Sequence, residues 1–294
     1  MKEGKVHKIQ GKGSFVIRKC KKNLSARLIH ETPVALCMQS YLAPFIAKTL
    51  SGWDDYMLRE HSRYIIHGFI QPHQQFDILR GLRDKVNVIA IHFLPWTRKA
   101  LSPMPILEEF GGTVLFLLDR HYEYPGLGYA VINDESKGLE LAFNYISSKM
   151  QPSSQLIYFH RRNSLFQSIR TRSVIVPQVA DRYGIDCETV NLSFRIRNKL
   201  KAFFCGRRKH VYAICSDAAL ADDILYTCSE LGIRHGDNLT LVSLFESGTS
   251  LRIPHVSVDF YSIGKKAASI ATDIQKGEYP ARKTMLVSPS FSIM

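Results

Sequence analysis

The sequence predicts an α/β protein of two doubly wound parallel-sheet lobes, with a short β-hairpin in front of them. Short apolar runs of strand length alternate with longer segments of helical periodicity, as in parallel sheets that helices cover on both faces. This alternation runs from residue 32 to residue 148 and starts again at residue 156. The 294 residues are sufficient for two such lobes.

The elements of the first lobe are indicated one after another along the chain. Val34–Met38 is a short, wholly apolar run, which is typical of a strand buried on both faces of a sheet. The later elements are predicted as a helix over 44–60, a strand over 63–69, a helix over 74–83, a strand over 86–93, a helix that closes with 106–110, a strand over 114–118 and a helix over 136–148.

The second lobe repeats the same alternation. Its elements are predicted as a strand over 156–159, a helix over 174–183, a short strand at Val190, a helix over 194–204, a strand over 211–215, a helix over 220–231 and a strand over 239–244. Two such series in one chain favour two separate sheets.

The front of the chain differs in both pattern and charge. Gln10–Val16 reads QGKGSFV, and two glycines around Lys12 followed by Phe-Val predict a tight hairpin turn that returns into a strand. Residues 1–30 hold nine lysines and arginines but one acid, Glu3, in a chain whose net charge is +13. Such a local excess indicates contact with a polyanion, nucleic acid being the first candidate. A solvated basic tail is the alternative.

Several classes of protein are excluded by the sequence pattern. No window reaches the roughly 18 apolar residues of a membrane span, and no apolar segment of a secretory signal follows the first charges. The six cysteines form no C-x-x-C pair, so no zinc site or cofactor is expected, and the cytoplasm is the expected compartment. An enzyme is not expected, because no nucleophile elbow is present and Gly126–Gly128 lacks the third glycine of a phosphate-binding loop.

Polar and aromatic residues follow the predicted strands. In doubly wound sheets, ligands bind beyond the carboxyl ends of the strands, so these positions are candidate ligand contacts. Aromatic rings also line ligand pockets, and Phe194 joins the candidates for that reason. For each aromatic residue, a place in the hydrophobic core is the alternative. The candidates at strand ends are Tyr41, Trp96, Asp119, Arg120, His160, Ser216 and Glu246.

Four longer segments are similar to one protein family. They are Val114–Arg120 (VLFLLDR), Val131–Ile146 (VINDESKGLELAFNYI), Tyr212–Leu244 and Pro254–Gly277. In this order and spacing they resemble the effector-binding domain of LacI/GalR regulators from about residue 32 to the end of the chain. The resemblance implies a periplasmic-binding-protein-like fold, in which the chain crosses between two lobes three times and a sugar-like ligand binds in the cleft.

The hairpin segment carries a second resemblance. Glu3–Val16 (EGKVHKIQGKGSFV) is similar to the end of a GntR-type winged-helix domain, where a motif like GKGTFV forms the wing. A wing joined to a LacI-like body resembles the arabinose-repressor type of regulator. The resemblance implies DNA contacts at Lys12 and Ser14. It also implies a helix-turn-helix before the wing, which is missing here either because the chain is truncated or because the gene start was assigned too far downstream.

The LacI/GalR resemblance also implies roles for single residues on the ligand side. Asp134 matches the acid of a V-x-x-D-N-x-x-G motif, although Glu135 stands where asparagine is usual. Asp134 is therefore expected either to face the ligand or to cap the following helix. Arg172 lies where the family places its ligand-gripping arginine, a fork suited to hydroxyls or a carboxylate, with Arg170 as the alternative.

Two further positions in the resemblance depart from the family pattern. Ser216-Asp217 stands where the family has Asn-Asp, so Ser216 is expected to donate to the ligand and Asp217 to cap the next helix. Phe245-Glu246 replaces an expected pair of acids, which indicates a changed ligand preference or a lost ligand.

The predicted domains are a wing remnant over 1–18, a linker over 19–31 and an effector-binding domain over 32–294. Within the effector-binding domain, the predicted N-lobe consists of about 32–151 and 256–280. The predicted C-lobe consists of about 152–255 and 281–294. The predicted function is the effector-sensing and dimerisation region of a transcription regulator. It would bind a small sugar-like ligand, form a homodimer and modulate binding to operator DNA. The alternative with the same fold is a solute-binding receptor of a transport system.

Overall fold

The computed structural model describes residues 5–9, 13–17, 32–40, 44–71, 73–92, 104–118, 128–151, 154–161, 167–192, 195–205, 209–246 and 252–293. The chain divides into two compact units, one from residues 1–132 and 260–286 and the other from residues 133–259 and 287–294. The chain therefore passes from one unit to the other three times, as the resemblance implies.

The described part of the chain alternates strands and helices. In chain order the elements are β1 (Lys5–Ile9), β2 (Gly13–Ile17), β3 (Val34–Gln39), α1 (Pro44–Arg59), β4 (Tyr64–Phe69), α2 (Gln74–Leu82), β5 (Val88–Ile91), α3 (Met104–Phe110), β6 (Thr113–Leu118), β7 (Tyr129–Asn133), α4 (Glu135–Ser147), β8 (Leu156–His160), α5 (Gln167–Tyr183), β9 (Cys187–Asn191), α6 (Ile196–Phe204), β10 (Val211–Cys215), α7 (Ala218–Glu230), β11 (Leu239–Glu246), β12 (His255–Ser257), α8 (Phe260–Gln275), β13 (Thr284–Val287) and β14 (Ser290–Ser292).

The predicted hairpin at the front of the chain is confirmed. β1 and β2 pair antiparallel, from Lys5 opposite Ile17 to Ile9 opposite Gly13. Three residues therefore connect the strands, as expected for a glycine-containing hairpin. Lys12 and the linker predicted over 19–31 lie outside the described residues.

The first unit is built on a sheet of six strands in the order β13-β7-β6-β5-β3-β4. β3 pairs in parallel with β4 and β5, and β6 pairs in parallel with β5 and β7. The chain thus winds outward from β3 in both directions, which confirms a doubly wound lobe. Every residue of β3 is buried, as its wholly apolar start predicts for a central strand.

Helices α1 and α8 of the first unit pack with their backbones in close approach. A Cβ atom added to Gly52 would fall on the carbonyl oxygen of Tyr261, and one added to Gly264 would fall on that of Thr49. Both glycines are buried. Each helix therefore presents a glycine where the other helix approaches, and no larger residue fits there without moving the backbone.

The second unit contains the second predicted lobe, a sheet in the order β14-β12-β11-β10-β8-β9. Its strands are parallel except for β14, which pairs antiparallel with β12. One apolar core lies under α6 and α7, with Leu200 and Ile224 buried, and the other under α4 and α5, with Phe143 and Val179 buried. Helices therefore cover both faces of the sheet, as predicted.

The structure differs from the sequence expectation where the apolar pattern is weak. Helix α5 begins at Gln167, earlier than the predicted start at 174. The prediction missed its first two turns because they are mostly polar and carry no apolar stripe. Strands β7, β12, β13 and β14 were not predicted, and the last two are short and partly exposed. Helix α4 belongs to the second unit, where it packs on α5, although the expected N-lobe ran to about residue 151.

Candidate functional site

Polar side chains gather at the carboxyl edge of the sheet in the second unit. Because β8, β9 and β10 are parallel, their carboxyl ends lie at one edge, where doubly wound sheets bind ligands. His160 ends β8 directly opposite Asn191, which ends β9, and Ser216 follows β10. We call the connected set at this edge the edge cluster; its members are Glu135, His160, Arg161, Arg172, Ser173, Asn191, Ser216 and Asp217.

Arg172 is the centre of the edge cluster. It lies in the second turn of α5 and is only 5% exposed. Its Nε donates to Oε2 of Glu135 at 2.6 Å, its Nη2 lies 3.5 Å from Oε1 of the same carboxylate, and its Nη1 donates to the backbone oxygen of Ser216 at 2.5 Å. One guanidinium thus ties the start of α4 and the end of β10 to α5.

The ion pair of Arg172 with Glu135 is buried on both sides. The side chains are 6% and 10% exposed, respectively. Glu135 is the first residue of α4, where the positive end of the helix dipole also favours a carboxylate. Removing one partner of a buried pair typically costs about 3–5 kcal/mol, because the other charge is left uncompensated.

Asp134 caps α4. Its carboxylate accepts a hydrogen bond from the backbone N–H of Lys137 at 3.0 Å, and its backbone is extended, as at an N-cap. The capping interpretation of Asp134 is therefore confirmed, and its role toward a ligand stays a prediction. The two neighbouring acids thus have different roles, since Asp134 caps the helix and Glu135 forms an ion pair with Arg172.

A second group of charges continues along the same edge. The hydroxyl of Ser216 donates to Oδ2 of Asp217 at 2.8 Å, and Oδ1 of Asp217 accepts from the backbone N–H of Leu220 at 2.9 Å. This confirms Asp217 as the N-cap of α7. The Nη2 atom of Arg161 lies 3.7 Å from carboxylate oxygens of both Asp217 and Asp223.

Two polar atoms of the edge cluster are buried without a hydrogen-bond partner among the described residues. They are the Nε donor of Arg161 and the Oδ1 acceptor of Asn191. A buried donor or acceptor left unsatisfied costs about 1–3 kcal/mol, so proteins rarely keep one without a reason. Hydroxyl groups of a ligand could satisfy such atoms, since a hydroxyl both accepts and donates.

His160 joins the edge cluster as a neutral ring. Its Nδ1 lies 3.1 Å from Oγ of Ser173, and its ring stacks on that of Tyr158 at 5.6 Å between centroids. Burial lowers the pKa of His160, because the charged ring loses hydration. Burial likewise raises the pKa of the Tyr158 phenol. A neutral imidazole offers one donor and one acceptor, which suits a neighbouring hydroxyl.

Four of the predicted ligand residues are described with their side chains; three of them belong to the edge cluster, and Asp134 caps α4 next to its member Glu135. They are Asp134, His160, Arg172 and Ser216. Glu246 and Ser14 are placed in β11 and β2 by their backbones only. The remaining predicted residues lie outside the described part of the chain: Tyr41, Trp96, Asp119, Arg120, Phe194 and Lys12. The binding roles of all of these residues stay predictions.

Sequence reasoning missed the roles of Glu135, Arg161, Ser173 and Asn191. Glu135 stands where asparagine is usual, and this additional carboxylate was a signal that a positively charged partner lies nearby. Arg161 follows a strand, so its position pointed to the sheet edge. Ser173 and Asn191 carried no signal, because single small polar residues are common on helices and at strand ends. Arg172 is a buried residue of α5 and not a solvated cation of the helix surface.

The helices described in this structure include none that is long and apolar enough to cross a bilayer. Nor do the described side chains form a group of three or more His, Cys, Asp or Glu residues that could hold a metal ion.

Comparison with protein-family models gives no match, and comparison with curated proteins gives none either. Solved structures, in contrast, are similar over nearly the whole chain. A probable maltose operon transcriptional repressor from Staphylococcus aureus has a TM-score of 0.70 at 13% identity, covering 90% of this chain and 98% of its own.

Two similar structures contain sugars. A periplasmic binding protein/LacI transcriptional regulator from Alkaliphilus metalliredigens, complexed with D-xylulofuranose, has a TM-score of 0.65 at 11% identity, covering 89% of this chain and 97% of its own. A LacI family regulator from Enterococcus faecium with bound ribose has a TM-score of 0.64 at 13% identity, covering 88% and 96%. The chain therefore has an α/β fold with two parallel-sheet lobes that matches the periplasmic-binding-protein-like domains of LacI-type regulators.

Proposed function

We propose that this chain is the effector-sensing and dimerisation region of a transcription regulator that binds a sugar or sugar derivative. The fold supports a regulator, since similar structures are LacI-type transcriptional regulators, two of them with bound sugars. The observation that carries the ligand proposal is the edge cluster, where a buried donor on Arg161 and a buried acceptor on Asn191 stand without protein partners among the described residues.

The chemistry of the edge cluster suits a ligand with several hydroxyl groups. Arg161 and Asn191 offer a donor and an acceptor. The neutral His160 ring offers its Nε2 atom, because its Nδ1 already lies against Ser173, and the Ser216 hydroxyl, which donates to Asp217, can only accept. The cluster lies beyond strand ends, the usual place for a ligand in a doubly wound sheet. Aromatic walls at Tyr41, Trp96 and Phe194 remain part of the proposal.

Regulation requires that the ligand bind two conformations of the protein with different affinities. The ligand can shift the equilibrium only by the difference between its two binding free energies. We propose that this shift is transmitted to DNA through a homodimer, because regulators of this kind read two half-sites. The β1–β2 hairpin would be the wing of a winged-helix domain, with Lys12 and Ser14 at the phosphate backbone, and the protein would act in the cytoplasm.

Thermal unfolding in the presence of sugars, sugar acids and sugar phosphates tests the proposed function. A ligand at about 100 times its Kd stabilises the native state by about 2.7 kcal/mol. We expect one neutral sugar to raise the Tm of the wild type. Asn191→Ala should abolish that rise while leaving the Tm without ligand nearly unchanged, because the Oδ1 atom makes no hydrogen bond to the described residues.

Ser147→Ala is a matched control in the same unit. The Ser147 hydroxyl is exposed and bonds only locally, to the backbone oxygen of Asn144 at 3.0 Å. This variant should keep the full response to the ligand. If no neutral sugar shifts the Tm, or if Asn191→Ala responds like the wild type, the edge cluster is not a sugar site.

The alternative function is a solute receptor of a transport system, which the shared fold also allows. A regulator and a receptor would show the same sugar response, so the genomic sequence upstream of residue 1 is needed to distinguish them. In the genome, an in-frame helix-turn-helix upstream of residue 1 would support the regulator. A signal peptide at that position would support the receptor.

A further inference from the structure

We infer that Glu135 makes the edge cluster selective for uncharged ligands by neutralising Arg172. The inference rests on the proposed function, because it concerns which ligands the same site accepts. It depends on two observations, the burial of the Glu135–Arg172 pair and the proximity of Arg161 to the carboxylates of Asp217 and Asp223.

An arginine at a binding site is always a cation, because its pKa exceeds about 12. Left alone in a buried position, its planar fork would attract a carboxylate or phosphate and bind it through two parallel hydrogen bonds. In this protein the Glu135 carboxylate already takes that place, with oxygens 2.6 and 3.5 Å from Nε and Nη2 of Arg172. The pair is thus a neutral unit held inside the protein.

Two further arginines of the described residues, Arg161 and Arg197, also lie near carboxylates, in longer and partly exposed pairs. Arg161 lies 3.7 Å from Asp217 and 3.7 Å from Asp223, and Arg197 lies 3.5 Å from Asp223. Within the edge cluster, the two arginines are thus matched by two carboxylates, those of Glu135 and Asp217, so the cluster offers hydrogen-bond donors without a net positive charge. A hydroxyl group can use such donors, whereas a carboxylate or phosphate gains little attraction from them.

An anionic ligand would also meet direct repulsion. To reach Arg172, its negative oxygens would have to approach the Glu135 carboxylate or displace it from a buried hydrogen bond. Specificity is a difference between affinities, and a like charge placed against the wrong ligand is one way of creating it. Glu135 therefore acts as a specificity-determining residue, and it acts through Arg172.

The test is the substitution Glu135→Gln, with inorganic phosphate as the probe. Glutamine keeps the length of the side chain and an acceptor oxygen for Arg172, but it removes the negative charge. We expect phosphate to raise the Tm of Glu135→Gln by about 5–10 °C at about 100 times its Kd, relative to sodium chloride of the same ionic strength. The wild type should show no such phosphate-specific rise.

Glu140→Gln is the matched control. Glu140 lies on the same helix and also pairs with an arginine, Arg182, at 2.9 Å, but that pair is partly exposed and Glu140 is not a member of the edge cluster. This variant should not respond to phosphate. The inference is overturned if Glu135→Gln folds and ignores phosphate, or if the wild type and Glu140→Gln respond as strongly as Glu135→Gln.

A measurement on the wild type covers the case in which Glu135→Gln does not fold. Pairs of ligands that differ only in charge, a sugar and its acid or phosphate, are compared by Tm. We expect a rise with the neutral member and none with the anionic one, and an equal rise with both would overturn the inference.

The two proposals fail in different ways. If no neutral sugar binds the wild type but Glu135→Gln responds to phosphate, the sugar-sensing function fails, whereas the role of Glu135 at Arg172 stands. If a neutral sugar binds the wild type and Glu135→Gln ignores phosphate, the function stands and the selectivity proposal fails.

Discussion

The two adjacent acids at the start of α4 differ in their hydrogen-bond partners. Asp134 accepts a backbone hydrogen bond and Glu135 accepts an arginine, although the two side chains differ by one methylene group. The longer side chain of Glu135 can reach another helix, and the shorter one of Asp134 returns to its own helix, as N-cap residues do.

We expect Asp134→Ala to lower the free energy of unfolding by about 1 kcal/mol, because the N–H of Lys137 then loses its acceptor. Urea denaturation measures the loss, and Ser147→Ala serves as the comparison with little expected change. The capping role would be contradicted if Asp134→Ala were as stable as the wild type. If that variant had also lost the response to sugar, Asp134 would be a ligand residue.

At this scale the sequence predicts local contacts far better than distant ones. Asp217 was expected to cap α7, and it does, because a cap needs only residues three positions apart. The pair of Arg172 with Glu135 joins residues 37 positions apart, and no periodicity encodes such a partner. The unpartnered Oδ1 of Asn191 is a property of the folded surroundings and has no trace in the sequence.

Among the elements, the packing of α1 against α8 gives the sharpest prediction. Gly264→Ala places a methyl group against the backbone oxygen of Thr49, which a side-chain rotation cannot relieve. We expect it to destabilise the first unit by about 1–3 kcal/mol, in the range for overpacked cores. Urea denaturation of the full chain measures this loss.

Gly81→Ala is the matched control for the element prediction. Gly81 lies in α2, and a Cβ atom there would meet nothing within 4 Å. Alanine should stabilise this helix by about 0.5–1 kcal/mol, because glycine loses more conformational freedom on folding. Equal effects of the two substitutions would contradict the close approach of α1 and α8.

Elements with a strong apolar pattern were predicted from the sequence, and elements without one were not. The central strands β3, β5, β6, β8 and β10 are wholly or largely buried, so nearly all of their residues are apolar. β13 and β14 are partly exposed and short. Whether such segments form strands depends on their pairing with neighbouring strands and not on a local sequence pattern. The start of α5 was missed because the residues that begin it are polar and serve the edge cluster.

For the molecule as a whole, half-buried histidines predict a loss of stability in weak acid. Burial lowers the pKa of His67 in the first unit and of His160 and His235 in the second, from an ordinary value of 6.5. Below about pH 6.5 the unfolded chain therefore binds more protons than the native protein, and stability falls as the pH falls. Above that pH the histidines contribute no pH dependence.

Urea denaturation between pH 7.5 and pH 5.5 checks the direction of this effect. We expect the free energy of unfolding to decrease toward pH 5.5, and we expect His160→Gln to show a shallower decrease than the wild type. A steeper decrease in His160→Gln, or stability that rises on acidification, would contradict the lowered pKa of this histidine.

The alternation of strands and helices predicted the doubly wound architecture of both units, because that pattern follows from burying a sheet on two faces. The boundaries between the units were harder to predict from the sequence. Helix α4 resembles any amphipathic helix, and only its packing on α5 assigns it to the second unit.

The three passages of the chain between the units have a consequence for folding during synthesis. The first unit needs α8 from residues 260–275, which packs on α1 and whose last residue, Gln275, donates to the backbone oxygen of Thr32. The ribosome delivers α8 only after all of residues 133–259, which form the body of the second unit. Domains usually fold from the N-terminus during synthesis, but here the N-terminal unit lacks a helix until the body of the second unit has been made. The second unit can collapse while the nascent first unit still lacks the helix that closes its core.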